Sequence, residues 1–183
     1  PEIGSNGTSS AYGGAIYSTT NLTTVGDTYT GNEAGTFSAN GTAFGGALYA
    51  QGAINVRNAE FTGNKALASN GGKAYGGGMY AASGQSHTVT NSSFIANEAT
   101  TAGGAIFVDT KSGSTSTPTL AATASGDKHV ISGNAAGGKA DGFYFGSSDV
   151  TNSDAGRRNT PCHVLGNLLH PTTTYSNNQP LAI

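Results

Sequence analysis

The chain has 183 residues, of which 29 are glycine, one is cysteine and only 10% are charged. Its length fits one ordinary domain. A formal charge of −2, with no stripe of Lys or Arg, excludes a nucleic-acid-binding surface. No window approaches the roughly 18 uninterrupted apolar residues of a membrane span. One cysteine permits no internal disulfide. Pro1 begins no signal-peptide pattern, which predicts a mature or excised segment of a longer protein.

Two short motifs alternate along the chain. The first is a glycine pair followed by a short apolar stretch, at residues 13–17, 45–49, 76–80 and 103–107, with a degenerate copy at 141–145. The second is a large apolar residue followed three positions later by Asn, at residues 29–32, 61–64, 94–97 and 131–134. The first glycines are 32, 31 and 27 residues apart, and the asparagines are 32, 33 and 37 residues apart. One structural unit of about 30 residues therefore carries one copy of each motif.

The apolar stretches of the repeat have the composition of β-strands. They are short, bounded by Gly or Asn, and rich in Ile, Val, Tyr, Phe and Thr. The aromatic residues recur at equivalent positions, unlike those of a disordered chain. We therefore predict an all-β fold, a parallel β-helix of four to five coils over residues 1–145, in which equivalent positions stack about 4.8 Å apart.

Strand alternation predicts the direction of the side chains. One face of the first motif carries an aliphatic column that we expect inside the coils: Ile16, Leu48, Met79 and Ile106. The opposite register, with the tyrosines of the same strands inside, stays open because both faces are apolar. The glycine pair is expected to form a corner with positive φ.

The asparagines of the second motif are predicted to be structural rather than catalytic. We expect them in turns, in the left-handed region that Asn tolerates, with each side-chain amide bonding the next along the axis. The members of this ladder are Asn32, Asn64, Asn97 and Asn134.

Two segments depart from the repeat. Residues 108–130 lengthen the fourth unit, and we predict a projecting loop or accessory hairpin there, either a recognition element or a tolerated insertion. Its candidate contact residues are Lys111, Ser112, Gly113, Ser114, Thr115 and Pro118. Residues 146–183 are predicted to cap the last coil, with Leu165, Leu168 and Leu169 as an apolar plug, or to dock on the next copy of the chain.

Residues with catalytic or metal-binding chemistry do not form a recognisable site. Glu33 and Glu98 share a repeat position with Lys65, which indicates a solvated column rather than an acid–base pair. Cys162, His163 and His170 lack an evident fourth metal ligand. We therefore predict no enzyme, no cofactor and no metal.

Taken together, the two motifs resemble the repeats of the chlamydial polymorphic outer-membrane proteins and of related autotransporter adhesins. The match covers roughly residues 11–145, with Tyr29, Gly78 and Ile131 as departures from Phe, Ala and Phe. The resemblance implies a right-handed β-helical passenger at, or released from, a bacterial surface. It implies adhesion to a protein or glycan of a host or neighbouring cell, and supplies no catalytic residues.

Two functions are compatible with this sequence. The first is an extracellular adhesive passenger fragment without enzymatic activity. The second is a structural subunit that associates end to end into a filament or sheath.

Overall fold

A computed structural model describes residues 8–109, 119–122, 130–140, 142–146, 157–158, 164–166 and 174–176 of the chain. These residues form short β-strands and no helix.

The strands follow one another in five successive turns of the chain. The first turn contains β1 (Ser10–Tyr12), β2 (Ile16–Ser18), β3 (Leu22–Val25), β4 (Thr28–Thr30) and β5 (Glu33–Thr36). The second contains β6 (Thr42–Phe44), β7 (Leu48–Ala50), β8 (Ile54–Arg57), β9 (Glu60–Thr62) and β10 (Lys65–Ala68). The third contains β11 (Lys73–Tyr75), β12 (Met79–Ala81), β13 (Ser86–Thr90), β14 (Ser93–Ile95) and β15 (Glu98–Ala99). The fourth contains β16 (Ile106–Asp109), β17 (Thr119–Ala122), β18 (Val130–Ser132) and β19 (Ala135–Ala136). The remaining strands are β20 (Lys139–Ala140), β21 (Phe143–Gly146), β22 (Arg157–Arg158), β23 (Val164–Gly166) and β24 (Thr174–Ser176).

Consecutive strands belong to different sheets, and the chain returns to each sheet one turn later. The sheets are A (β1-β6-β11), B (β2-β7-β12-β16-β21-β22), C (β3-β8-β13-β17-β23), D (β4-β9-β14-β18-β24) and E (β5-β10-β15-β19-β20). Neighbouring strands pair in parallel, as Ile16 with Leu48 and Tyr29 with Phe61, except for the antiparallel pairs β19–β20 and β21–β22. The predicted parallel β-helix is confirmed.

The interior is filled by columns of identical or similar side chains. Leu48, Met79 and Ile106 are fully buried, with the partly buried Ile16 packed against the same cluster. Phe61 and Phe94 stack at 4.4 Å between ring centroids with their planes 2° apart. Each coil thus covers the apolar surface of the one beneath it, which provides the main stabilisation of such a fold.

A second interior cluster consists of alanines, and it explains why an alanine lies two residues after each asparagine of the second motif. The inward side chains of sheets A and E meet there. The cluster contains six buried residues: Ala34, Ala43, Ala66, Ala74, Ala99 and Ala136. Larger side chains would force the two sheets apart, because protein interiors are packed at nearly crystalline density.

The two segments that depart from the repeat also contain strands of the sheets. Thr119–Ala122 lies in sheet C and pairs with β13, so the coil continues within residues 108–130. Leu165 is paired with Ala121 in sheet C, and Tyr175 with Ile131 in sheet D, so the C-terminal segment contributes strands to two sheets. Hydrogen bonding to the preceding strand, which no local pattern encodes, defines these strands. The predicted loop within 108–130 and the predicted C-terminal cap stay predictions, because most of their residues lie outside the described ones.

Candidate functional site

The two faces of the β2, β7, β12 and β16 strands point in opposite directions. The aliphatic column lies in the main core, whereas the aromatic residue that follows each member belongs to a separate cluster outside the coils. The members of that outer column are Tyr17, Tyr49, Tyr80 and Phe107. The register that the sequence left open is thus the one with the tyrosines outside.

A second aromatic column runs beside the first, on sheet A. Its members are Tyr12, Phe44 and Tyr75, in register through β1, β6 and β11. Within each column the rings are nearly parallel: Tyr12 and Phe44 differ by 11° and Tyr17 and Tyr49 by 7°. Between the columns the rings are tilted by 52° for Tyr12 and Tyr17. Rings of the two columns also contact each other, as Tyr12 and Tyr49 do at 4.8 Å between centroids. We call the two columns together the aromatic surface from here on.

The glycine pair of the first motif brings the two columns together. Gly13 has a φ of 52°, which favours glycine, and it turns the chain between β1 and β2. A Cβ on Gly14 would lie only 2.2 Å from the carbonyl oxygen of Gly46. The second glycine therefore allows successive corners to stack. The corner places the ring centroids of Tyr12 in sheet A and Tyr17 in sheet B 5.7 Å apart.

The rings of the aromatic surface are most exposed in the first described coil and become buried along the axis. Tyr12 and Tyr17 are 41% and 49% exposed, and Phe44 and Tyr49 are half-buried. In contrast, Tyr80 is 4% exposed and Phe107 is fully buried. A cluster of exposed aromatic rings on a folded protein is a marker of an interaction surface.

The electrostatics of the aromatic surface reflect this burial. Desolvation raises the pKa of Tyr49, and the neighbouring Tyr12, Tyr17 and Asp109 add to the shift. The hydroxyl of Tyr80 donates a hydrogen bond of 2.5 Å to the Asp109 carboxylate. Tyr49 is therefore a neutral hydroxyl group at neutral pH.

The four asparagines of the second motif form a continuous ladder. The Nδ2 group of each donates to Oδ1 of the next at 2.9 Å, through Asn32, Asn64, Asn97 and Asn134. The backbone N–H of each of the first three also donates to the same oxygen. The last three are fully buried. Side chains satisfied in this way act as structural elements and are not accessible to a ligand.

The turn next to the ladder differs from the prediction in one detail. The left-handed conformation belongs to the residue before each asparagine, not to the asparagine itself. These residues are Gly31, Gly63, Ala96 and Gly133, with φ between 54° and 64°.

The charged column on sheet E remains solvent-accessible. Lys65 is in register with Glu33 and Glu98, and its Nζ lies 3.6 Å from a Glu98 carboxylate oxygen, with both side chains about half exposed. A cavity of about 450 Å³ between β1 and β5 has Glu33 as the single carboxylate in its described lining. Neither feature provides a pair of carboxylates for acid–base chemistry.

Other sequence candidates fall outside the described residues. These are the predicted contact residues from Lys111 to Pro118, and Cys162, His163 and His170. Among the residues that are described, no three His, Cys, Asp or Glu side chains are grouped to hold a metal. In the same part of the chain, no helix has the length and apolarity needed to span a bilayer.

The sequence places aromatic residues at equivalent repeat positions but does not by itself show that Tyr12, Phe44 and Tyr75 form a surface. The signal was the pair of aromatic residues on either side of each glycine pair. A further copy of the second motif was also missed: Tyr175 is followed three residues later by Asn178, as Tyr29 is by Asn32. Comparison of the chain with known protein families, with curated proteins and with solved structures finds no match.

Proposed function

We propose that the chain is a non-enzymatic, extracellular surface protein, part of an adhesin-like passenger that binds the surface of a host or neighbouring cell. The observation that carries the proposal is the aromatic surface. Tyr12 and Tyr17 keep 41% and 49% of their surface exposed in the first described coil. Exposed aromatic residues are enriched where proteins bind partners, because they bring a large contact area at a low entropic cost.

The rest of the outer surface supports binding rather than catalysis. Sheet C presents outward threonine and asparagine side chains, Thr23, Asn55 and Thr88, in register along the axis. Such side chains donate and accept hydrogen bonds without carrying charge. Grouped acids and bases, which hydrolytic β-helix enzymes require, are not seen among the described residues.

A direct test is adhesion of the purified chain. We expect beads coated with the 183-residue protein to attach to bacterial or epithelial cells, and the Tyr17→Ala variant to attach less. A matched control is Phe37→Ala, because Phe37 is 59% exposed but does not belong to the aromatic surface. Deletion of residues 111–118 is a second arm that tests the predicted contact loop. Beads that attach no better than uncoated beads would contradict an adhesive function.

The second candidate is a subunit that polymerises end to end. The observation in its favour is that, among the described strands, β1 to β5 each lie at an edge of a sheet, and such parallel edges can accept strands from another copy. Against it, sheets B and E end at the other side in the antiparallel strands β22 and β20. Negative-stain microscopy separates the two candidates, since polymerisation predicts long particles and the adhesive proposal predicts single short rods.

A further inference from the structure

Two turns that join sheet E to sheet A each contain an Asn-Gly pair. The turns comprise residues 38–41 in the first coil and 69–72 in the second, and in each the fourth N–H donates to the first carbonyl oxygen. The pairs lie at residues 40–41 and 70–71, so they occupy different positions within the two turns. Asparagine before glycine is readily converted to aspartate, because glycine has no side chain to hinder attack of its nitrogen on the neighbouring amide. The two turns therefore offer the same chemistry in two settings.

In the first turn the reacting nitrogen is already engaged. Gly41 is the fourth residue of the turn, and its N–H donates to the Ser38 carbonyl oxygen at 2.9 Å. Gly41 is also buried, and a Cβ at this position would lie 2.1 Å from Oγ1 of Thr36. The nitrogen can therefore attack the Asn40 side chain only after this hydrogen bond is broken and the packing around it is loosened.

In the second turn the reacting nitrogen belongs to a central residue. No described residue accepts a hydrogen bond from the Gly71 N–H, since the bond that closes this turn comes from Gly72. Asn70 and Gly71 are both exposed, with φ of 53° and 81°. The single described atom within 4 Å of a Cβ placed on Gly71 is the Ala39 carbonyl oxygen, at 3.8 Å. Water and space are thus available at the nitrogen and at the amide that it would attack.

The Asn70 side chain is held by an exposed hydrogen bond. Its Nδ2 group donates to the carbonyl oxygen of Phe37 at 2.8 Å. Water competes for a bond of this kind, so it constrains the amide far less than the buried bonds of Asn64 and Asn97 in the ladder. The N–H that follows Asn97, that of Glu98, is also engaged with the Asn64 carbonyl oxygen. The exposed turn thus differs from the ladder both at the amide and at the nitrogen next to it.

We propose that Asn70 and Gly71 form a site of spontaneous deamidation, a modification that goes beyond the proposed function and does not depend on it. The Gly71 nitrogen forms a bond to Cγ of Asn70, the Cγ–Nδ2 bond breaks, and Nδ2 leaves as ammonia with the proton of the Gly71 N–H. Water then opens the five-membered imide at either carbonyl, which gives aspartate or isoaspartate at position 70. Water is the one co-reactant.

Both products change the turn. The new carboxylate adds one negative charge and cannot donate to the Phe37 carbonyl oxygen, as Nδ2 does. Isoaspartate also adds one main-chain carbon between residues 70 and 71, within the turn that the bond from Gly72 to Ser69 closes. The reaction therefore weakens the link between the first two coils at this corner.

The test is incubation of the full chain at mildly alkaline pH, followed by trypsin and mass spectrometry. Cleavage after Lys65 and Lys73 releases residues 66–73, in which Asn70 is the single asparagine. Deamidation exchanges ammonia for water and shifts the mass of this peptide, and an isoaspartyl methyltransferase labels the isoaspartate fraction. Fragmentation of the peptide that contains Asn40 follows the other pair in the same digest. We expect Asn70 to react about fivefold to tenfold faster than Asn40, since a hydrogen bond that must first break slows a reaction by about that factor.

Unfolding provides the matched control. In urea the two pairs keep the same two residues but lose their turns, so Asn70 and Asn40 should react at nearly equal rates. Asn70→Gln should leave the 66–73 peptide unmodified, because the longer side chain cyclises much more slowly. A third Asn-Gly pair, at residues 6–7, lies outside the described residues and enters neither comparison.

Three results would overturn the assignment. The first is an unmodified Asn70 in the folded chain over a period in which the unfolded chain reacts. The second is reaction of Asn40 as fast as that of Asn70 in the folded chain. The third is the same excess of Asn70 over Asn40 in urea, which would assign the difference to the neighbouring sequence instead of the turn.

Discussion

Asn64 and Asn97 are joined across one coil by two hydrogen bonds to a single oxygen. The backbone N–H of Asn64 donates to Oδ1 of Asn97 at 3.0 Å, and its Nδ2 group donates to the same atom at 2.9 Å. Nδ2 also donates to the carbonyl oxygen of Tyr29 in the coil above. Both asparagines are fully buried. At this position the side chain must accept hydrogen bonds through one atom and donate them through another. An amide does both, whereas a carboxylate can only accept and an alkyl group can do neither.

Replacement of Asn64 by Ala should strongly destabilise the protein. The backbone N–H of Asn32 and the carbonyl of Tyr29 would both lose a partner in a water-poor site. Each unsatisfied buried group costs about 1–3 kcal/mol, so we expect a loss of about 2–5 kcal/mol in the free energy of unfolding. Urea denaturation measures it. The control Asn55→Ala, at an exposed strand position, should change stability by less than about 0.5 kcal/mol. Equal effects of the two substitutions would contradict the structural role of the ladder.

Ala96 should be a site at which glycine stabilises the chain. Its φ of 54° lies in the region occupied by Gly31, Gly63 and Gly133 at equivalent positions. An alanine in the left-handed region destabilises the folded state by about 1–2 kcal/mol. Glycine removes this cost, but it also stabilises the unfolded state by making it more flexible, which offsets part of the gain. We expect Ala96→Gly to raise the free energy of unfolding by about 0.5–1 kcal/mol.

The reverse substitution is its control. A Cβ on Gly63 would meet no atom within 4 Å, so Gly63→Ala tests the backbone conformation alone. It should lower stability by a similar amount, measured as a shift of the urea midpoint with an unchanged slope. Shifts of the same sign in the two variants would rule out this explanation.

Protonation of His87 should destabilise the fold in mild acid. The ring is buried; Nδ1 accepts a hydrogen bond from the Ile54 backbone N–H, and Nε2 donates to the Ala82 carbonyl. Desolvation lowers the pKa of this histidine, against a smaller opposite effect of the Ala82 bond. The unfolded chain therefore binds the proton more readily. The contribution of His87 to stability is fully present above the unfolded pKa of about 6.5, and it is lost as the pH falls towards the folded pKa.

The measurement is the free energy of unfolding of native protein and of His87→Leu between neutral pH and mild acid. Leu fits the column, because the equivalent positions hold Leu22 and Ile54. The variant should be less stable at neutral pH, since two backbone groups lose a partner, but its stability should fall less steeply with acid. A pH dependence identical to that of the native chain would contradict the assignment.

Lys65 should protect sheet E from repulsion between like charges. It lies between Glu33 and Glu98, and the Lys65–Glu98 pair is half exposed. Such a pair contributes about 0–1 kcal/mol. Lys65→Gln should therefore have little effect, whereas Lys65→Glu places three carboxylates in adjacent strands and should cost about 1 kcal/mol at low salt. Added salt should recover most of this loss, because it screens exposed charges. A salt-independent loss would indicate a packing defect instead.

Much of the fold follows from spacing. Successive copies of each motif are separated by nearly constant distances, which predicts one coil for every pair of motifs. Alternation within the first motif predicts the buried aliphatic column. The asparagine ladder was also predictable, because an amide both donates and accepts and so can bond its own copy in the next coil. By contrast, the strands Thr119–Ala122 and Val164–Gly166 carry no copy of either motif. They are defined by hydrogen bonds to strands more than 30 residues away.

The sequence by itself determined the low charge, the period and the columns, since these depend only on which residue types recur and how far apart they are. The tertiary structure decided the environment of the tyrosines. Both faces of the Ile-Tyr strands are apolar, and the corner at Gly13 and Gly14 brings Tyr12 beside Tyr17 on the outside of the coils. The abundant glycine of the sequence thus acquires a spatial meaning, because the stacked corners require it.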